Sequence, residues 1–244
     1  MANLALVTAG IVELLESVIQ DTLGPEEDVA AGNAVRLVPS GTTAGLFTKG
    51  NATSAAEANI FGIALNTRKA KQRGLTAIRK GLMSGWDLGS LDFGAPIFLS
   101  ATDGALTDTD PGTNEKVTLT MSGSPAGGTF TLTFGGQTTA AIAYNANAAA
   151  IQTALEALSS ILRGNVVVTG TGPFTVEFIN ALGKQNLGAV TADSSSLTGG
   201  TSPSMGVAVA TQGVHSVQVG RVHPIPTHLL GDSPNKGILV DIRN

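Results

Sequence analysis

The chain contains no cysteine, and aromatic residues make up only 4% of its 244 positions, with one Trp and one Tyr. Without thiols there is no disulfide framework, no Cys-containing zinc site, no iron–sulfur cluster and no thiol nucleophile, so stability must come from packing or oligomerisation. Charge is also thin: 13% of residues are charged, about half the usual quarter. The formal net charge is −4 and the pI near 5.3. That balance speaks against sequence-independent nucleic-acid binding, where cations neutralise phosphates. Long apolar runs are missing too. The opening MANLALVTAG has no basic region before it, and Gly10, Glu13 and Glu16 interrupt it well short of the roughly 20 residues a bilayer span requires. The expectation is a soluble protein with no export signal and no membrane partner.

What is present is glycine, 31 of them, with abundant Thr, Ser and Ala, and a mean hydropathy of +0.23. Low charge with positive hydropathy excludes charge-solvated disorder, and this composition without long helical runs predicts many short strands and tight turns. The fold class expected is therefore mainly β. At about 150 residues per domain the length allows one large domain or two modest ones.

Charge density marks the boundary. Residues 116–213 carry only Lys116, Arg163, Lys184, Glu156, Glu177 and Asp193 and net to zero, so the flanks hold the whole −4. The turn-rich Thr109-Asp110-Pro111-Gly112-Thr113-Asn114 precedes this stretch and Thr211-Gln212-Gly213 follows it. The expected organisation is a discontinuous β-rich host, 1–115 and 214–244, with 116–213 inserted as a small α+β domain. Inside the insert, TFTLTF places Phe130, Leu132 and Phe134 on one face, and Gly135-Gly136 supplies a hairpin turn before Gln137 to Tyr144 returns. Asn147 can cap a helix of about four turns with apolar Ile151, Leu155, Leu158 and Leu162, closed by Gly164. Val166 to Thr169, Phe174 to Ile179 and Gly206 to Ala210 read as further strands.

In the host, Ala34 to Val38, Ile60 to Leu65, Leu75 to Ile78, Pro96 to Leu99, Val217 to Val222 and Ile238 to Ile242 are short apolar runs between turn residues. Asp103-Gly104 is a hairpin-type dipeptide. Residues 11–23 are ambiguous: Ile11, Leu14, Leu15, Val18, Ile19 and Leu23 have helical spacing, which favours a helix, yet they also fit a twisted strand running into Gly24-Pro25.

No catalytic constellation is legible. His215, His223 and His228 lie in the last thirty residues, with Pro224 and Pro226 stiffening the last pair, and lack the i, i+4 spacing of a helical metal pair. No Ser is flanked by Gly at both second positions. GLFTKG, Gly45 to Gly50, has its Lys before the final Gly, where it cannot reach phosphates cradled by that turn. Asn51-Ala52-Thr53 matches a glycosylation sequon. The chain is expected to be no enzyme and to need no cofactor or metal. The one charge cluster is Arg68, Lys69, Lys71, Arg73, Arg79 and Lys80, with no acid between Glu57 and Asp87. It fits either a docking patch for an acidic surface or the solvated edge of a hairpin.

The run MANLALVTAG, then ESVIQDTLGPEEDVAAGNAVRLV, NIFGIALNTRKAKQRGLTAIRKGLMSGWDL, GAPIFLSATDGALTDT, VQVGRVHPIP and GILVDIRN resembles the head decoration, or capsid cement, proteins of tailed bacteriophages, particularly those infecting actinobacteria. The insert resembles a module that recurs in phage and bacterial surface proteins. The resemblance implies a β-barrel or β-tulip-like decoration domain that forms homotrimers on the outer surface of the virion capsid and links subunits of the major capsid protein. It also implies extended chain for residues 11–23, and an insert that projects outward, where a host cell surface or glycan could be its ligand. Candidate capsid contacts are Ala2, Asn3, Leu4, Leu6 and Val7 of the N-terminal arm, because termini order readily on a partner, with Arg68, Lys69, Lys71 and Arg73. The alternatives are a phage tail-tube or tail-surface structural protein and a cell-surface adhesin acting through the insert.

Overall fold

Short apolar runs punctuated by Gly and Asp turns pair as strands, and the computed structural model, which describes residues 3, 4, 6, 12–225 and 236–242, is mainly β with few helices. The chain forms two compact units, Met1–Gly112 with His215–Asn244 (unit 1) and Thr113–Val214 (unit 2). Unit 1 opens with β1 (Glu13–Leu23), β2 (Ala34–Leu37), β3 (Phe47–Lys49), the one-turn α1 (Ala55–Ala58), β4 (Gly62–Ala64), β5 (Leu75–Ser84), β6 (Pro96–Leu99) and β7 (Leu106–Thr107). Unit 2 comprises β8 (Lys116–Ser122), β9 (Gly127–Phe134), β10 (Gln137–Thr138), β11 (Ile142–Ala143), α2 (Ala148–Glu156), β12 (Val166–Thr169), β13 (Phe174–Phe178), a 3-10 turn at Asn180–Leu182, β14 (Thr191–Asp193), β15 (Leu197–Thr198) and β16 (Ser204–Thr211). The chain then returns to unit 1 for β17 (Gln218–Pro224) and β18 (Lys236–Asp241).

Unit 1 is a nine-stranded sheet ordered β3-β2-β4-β5-β18-β17-β6-β7, with β1 paired to β5 beside this path. Strand β5 is its pivot. One of its edges is covered along its length by β1, from Glu13↔Ser84 to Leu23↔Leu75. The other edge is divided between β4, at Ile63↔Ile78, and β18, at Ile238↔Met83. With two strands sharing one edge in succession, the sheet curls into a half-barrel. The β6–β7 turn then reaches the opposite end of the sheet: Ala52 N–H donates to Ser100 O, Gly104 N–H to Gly50 O and Ala34 N–H to Gly104 O, each at 2.8 Å. Gly104 has φ +70°, and a Cβ there would sit 2.9 Å from the Asn33 side chain, which explains the glycine. The two strands that end the path, β3 and β7, are covered as well. Phe47 of β3 exchanges bonds with Gly24 and Glu26 around Pro25, and Leu4 N–H donates to Leu106 O of β7. Phe47, Val29, Val35, Leu75 and Ala77 form one buried cluster inside the curl, with the Phe61 ring 5.3 Å from Phe47.

Strand β1 corrects the helical reading of residues 11–23 from Glu13 onward, Ile11 lying outside the described residues. Its ladder with β5 contains three register shifts. A bulge adds a residue to one strand and resets the two-residue alternation, so apolar side chains stop falling at every second position and imitate helical spacing.

Unit 2 has a five-stranded sheet in which β10, β11, β14 and β15 all pair with β9, and a four-stranded sheet ordered β12-β13-β8-β16. Alternation carries Phe130, Leu132 and Phe134 of β9 and Phe174, Val176 and Phe178 of β13 into one core, where Phe134 stacks on Phe178 at 5.1 Å between ring centres. Gly135 and Gly136, at φ +57° and +76°, form the expected hairpin turn. Helix α2 contributes Ile151 and Leu155 to that core, and its first turn is capped by the Asn147 side chain, which accepts from Ala150 N–H at 2.9 Å. The helix is shorter than its spacing predicts, ending at Glu156. The β9–β10 hairpin captures the chain first: Ser160 N–H donates to Gln137 Oε1 and Ser160 Oγ to Phe134 O. Ile161 therefore fills the core position, while Leu162, at φ +64°, is 58% exposed. Gly164 keeps its left-handed conformation, at φ +84°, in the turn before β12.

Candidate interaction surfaces

The residues that could carry chemistry are dispersed or already engaged. Among the described residues no group of three or more His, Asp and Glu gathers as a metal site. His215 lies in unit 1, its N–H bonded to Ala52 O, and burial holds its imidazole below the ordinary histidine range. His223 is exposed with Nδ1 2.8 Å from Pro224 O, and His228 lies outside the described residues. Lys49 of GLFTKG pairs with Glu27 at 3.0 Å. Burial raises the Glu27 pKa, but hydrogen bonds from the Thr48 hydroxyl and the Lys49 N–H, with the Lys49 charge, outweigh it and hold the carboxyl below its usual range. The sequon asparagine is structural: Asn51 is buried, donates to Asp103 and accepts from Thr53.

The basic run is divided by the fold. Residues 66–74 form the β4–β5 turn, shaped by the Asn66 side chain, which donates to Gly74 O and accepts from Thr76 N–H. Arg68 bonds the carbonyls of Thr67 and Arg73. Lys69 meets an acid that the linear sequence places 41 residues away: its Nζ is 2.8 Å from Asp28, and that hydrogen bond, with one from Ala70 N–H, lowers the Asp28 pKa. Arg79 lies 4.9 Å from the centre of the Phe61 ring. Lys71 and Arg73 keep exposed side chains, and Lys71 adopts φ +64° while its N–H donates to Pro25 O. Both line a groove of about 450 Å³ whose apolar wall is Leu23, Pro25 and Leu46.

Of the N-terminal candidates, the described Asn3, Leu4 and Leu6 are held by their own chain. Asn3 bridges Thr107 and accepts from the Ser100 hydroxyl at 2.6 Å, and Leu6 bridges Trp86. Leu4 caps the β7 edge as described, while Ala2 and Val7 lie outside the described residues. In unit 2, Phe130, Phe134, Phe174 and Phe178 are buried and Tyr144 packs against the same core. None of these rings offers a sugar-stacking platform.

Sequence reasoning passed over two features of unit 1. The groove joins β1, the start of β3 and the β4–β5 turn, so no contiguous motif announces it. The second is the loop after β5, where Asp92 and Phe93 are exposed, Phe93 at 56%. An aromatic residue between Asp92 and Gly94 in a turn-rich stretch was the available signal.

No family model matches the chain. A stretch of 110 residues, 43% of this chain, is 37% identical to the tail sheath protein of Mycobacterium phage Bxz1, of which it spans 18%. A solved structure from Mycobacterium phage Patience aligns over 98% of this chain and 99% of its own, at 15% identity and a TM-score of 0.31. The sheath match corrects the head-decoration reading, and with it the capsid partner, the capsid-linking trimer and the placement on the capsid surface. The strand order that suggested a decoration protein consists of generic β-segments. A Cys-free, Gly- and Thr-rich β composition serves tail and head proteins alike, so it did not discriminate them.

Proposed function

We propose that this chain is a structural protein of a bacteriophage virion, placed in the tail and working with tail sheath or tail tube subunits. The observation that carries the reading is the 37% identity over 110 residues to a tail sheath protein. The chain is no enzyme; its role is to hold contacts. Unit 1, a curled sheet read as a barrel-like framework, offers a cationic groove and an exposed aromatic loop for such contacts. Unit 2 is read as an inserted domain with its own core. Arg68, Lys69, Lys71, Arg73 and the N-terminal residues Asn3, Leu4 and Leu6 belong to the framework that positions these surfaces.

The test is to separate tails from heads in disrupted particles and label each with antibody to this chain under electron microscopy. Label along tails supports the reading. Label confined to heads, or absent from particles, overturns it.

A further inference from the structure

We propose that the groove bounded by Leu23, Pro25 and Leu46 receives the Asp92–Phe93 loop of a second copy of this chain, so that copies join head to tail. The proposal deepens the tail reading by naming a self-contact.

The two surfaces are complementary. The groove, about 450 Å³, has an apolar wall on which Leu23 is left 37% exposed. Lys71 and Arg73 stand at its edge; of the acids adjoining the lining, Asp28 is bound by Lys69, Glu26 accepts from the Thr43 hydroxyl, and Asp21 is exposed. The loop presents the inverse arrangement, Phe93, 56% exposed, beside the exposed Asp92. A ring seated on Leu23 and Leu46 would remove apolar surface from water, while the carboxylate would meet two cations.

The loop is also held in place. Lys236 Nζ donates to Gly89 O at 3.1 Å and Leu91 O at 2.5 Å, and lies 5.5 Å from the centre of the Phe93 ring. Gly94 N–H donates to Val222 O, and the Arg221 guanidinium to Gly94 O. A residue presented from a fixed loop loses little freedom on binding, which is what a contact anchored by one aromatic side chain requires.

Placement excludes the same-chain contact. The groove lies where β1 ends and β5 begins, and the loop follows the end of β5. Ten residues of extended strand separate them by about 30 Å. The contact therefore joins two different surfaces on two copies; where the second copy does not return it reciprocally, it is heterologous and propagates into a ring or a helical row.

The absence of cysteine makes the test clean. A Thr22→Cys variant and a Ser90→Cys variant of the full chain are mixed under mild oxidation. The expected product is a mixed cross-linked pair in clear excess over what either variant gives alone, reduced roughly tenfold or more when Phe93→Ser is added to the Ser90→Cys chain. Adding Lys71→Glu and Arg73→Glu to the Thr22→Cys chain is expected to abolish the product, and Asp92→Arg on the other chain to restore it. A Ser90→Cys pair that forms as readily alone overturns the head-to-tail geometry. So does a wild-type chain that sediments as a monomer at about 1 mM, where a millimolar contact is half formed. These measurements use purified chain in solution, so their failure is distinguishable from failure to find the chain on tails.

Discussion

Thr113 and Val214 exchange both backbone hydrogen bonds, N–H to carbonyl at 3.1 Å in each direction. The chain thus enters and leaves unit 2 through one antiparallel bridge, and the core of that unit draws on residues between these two points. Replacing 113–214 by a short Gly/Ser linker is expected to leave unit 1 folded, because closing the shorter loop is no more costly in chain entropy. The excised unit is expected to fold alone. Circular dichroism and thermal melts of both fragments check this, and an unfolded unit 1 would show that its sheet needs the insert.

Two leucines on one sequence pattern should behave oppositely. Leu155 is fully buried, and Leu155→Ala is expected to destabilise unit 2 by about 2–5 kcal/mol. Leu162 is 58% exposed and held at φ +64°. Leu162→Gly is expected to be neutral or to stabilise by up to about 1 kcal/mol, since glycine relieves the left-handed strain. Denaturant unfolding of the two variants gives the comparison directly.

Gly128 sits in β9 at φ +85°, and a Cβ there would lie 2.1 Å from Ser196 O. Gly128→Ala must displace the backbone before β15 as well as adopt a disfavoured conformation, at an expected cost of about 2–4 kcal/mol. Hydrogen exchange should show the loss first at Leu197 and Thr198, which pair with Gly128 and Gly127.

Acid should weaken both units through named carboxylates. In unit 2, the Asn114 side chain and then Lys116 hold Glu177 below its ordinary pKa of 4.5, and in unit 1 Glu27 is likewise depressed. A carboxyl with a folded pKa below its unfolded one contributes stability that is complete above the unfolded value and is lost as pH falls through the folded value. The melting temperature is therefore expected to decline below about pH 4.5. Glu27→Gln and Glu177→Gln should each flatten that decline while lowering stability at neutral pH. A decline of unchanged slope in both variants would assign it to other groups.

The strands were largely legible because burial on one face leaves a two-residue period, as in Phe130, Leu132 and Phe134, and because Gly135-Gly136 has few conformations open to it besides a turn. Where that period is broken, the reading failed. The bulges of β1 disguised a strand, and the β9–β10 hairpin shortened α2 through the distant pair Gln137–Ser160. The surfaces were harder. Lys69 finds Asp28, and Leu23 finds Leu46, only once the sheet has curled, so neither the neutralised part of the basic run nor the groove exists as a linear pattern. Phe93 stood in plain view, but its exposure depends on the loop that Lys236 fixes from the other end of the chain.

The covering of β3 by Gly24–Glu26 and of β7 by Leu4 bears on how such a subunit could be built into something larger. A bare strand edge is a template onto which any extended chain can add, with little discrimination of register. With the β3 and β7 edges occupied by the unit's own chain, growth through these two edges falls to side-chain contacts of limited area. Such contacts dissociate and re-form, so a copy seated wrongly can leave before its neighbours lock it in, and order in the finished array is reached by repeated trial instead of by the first encounter.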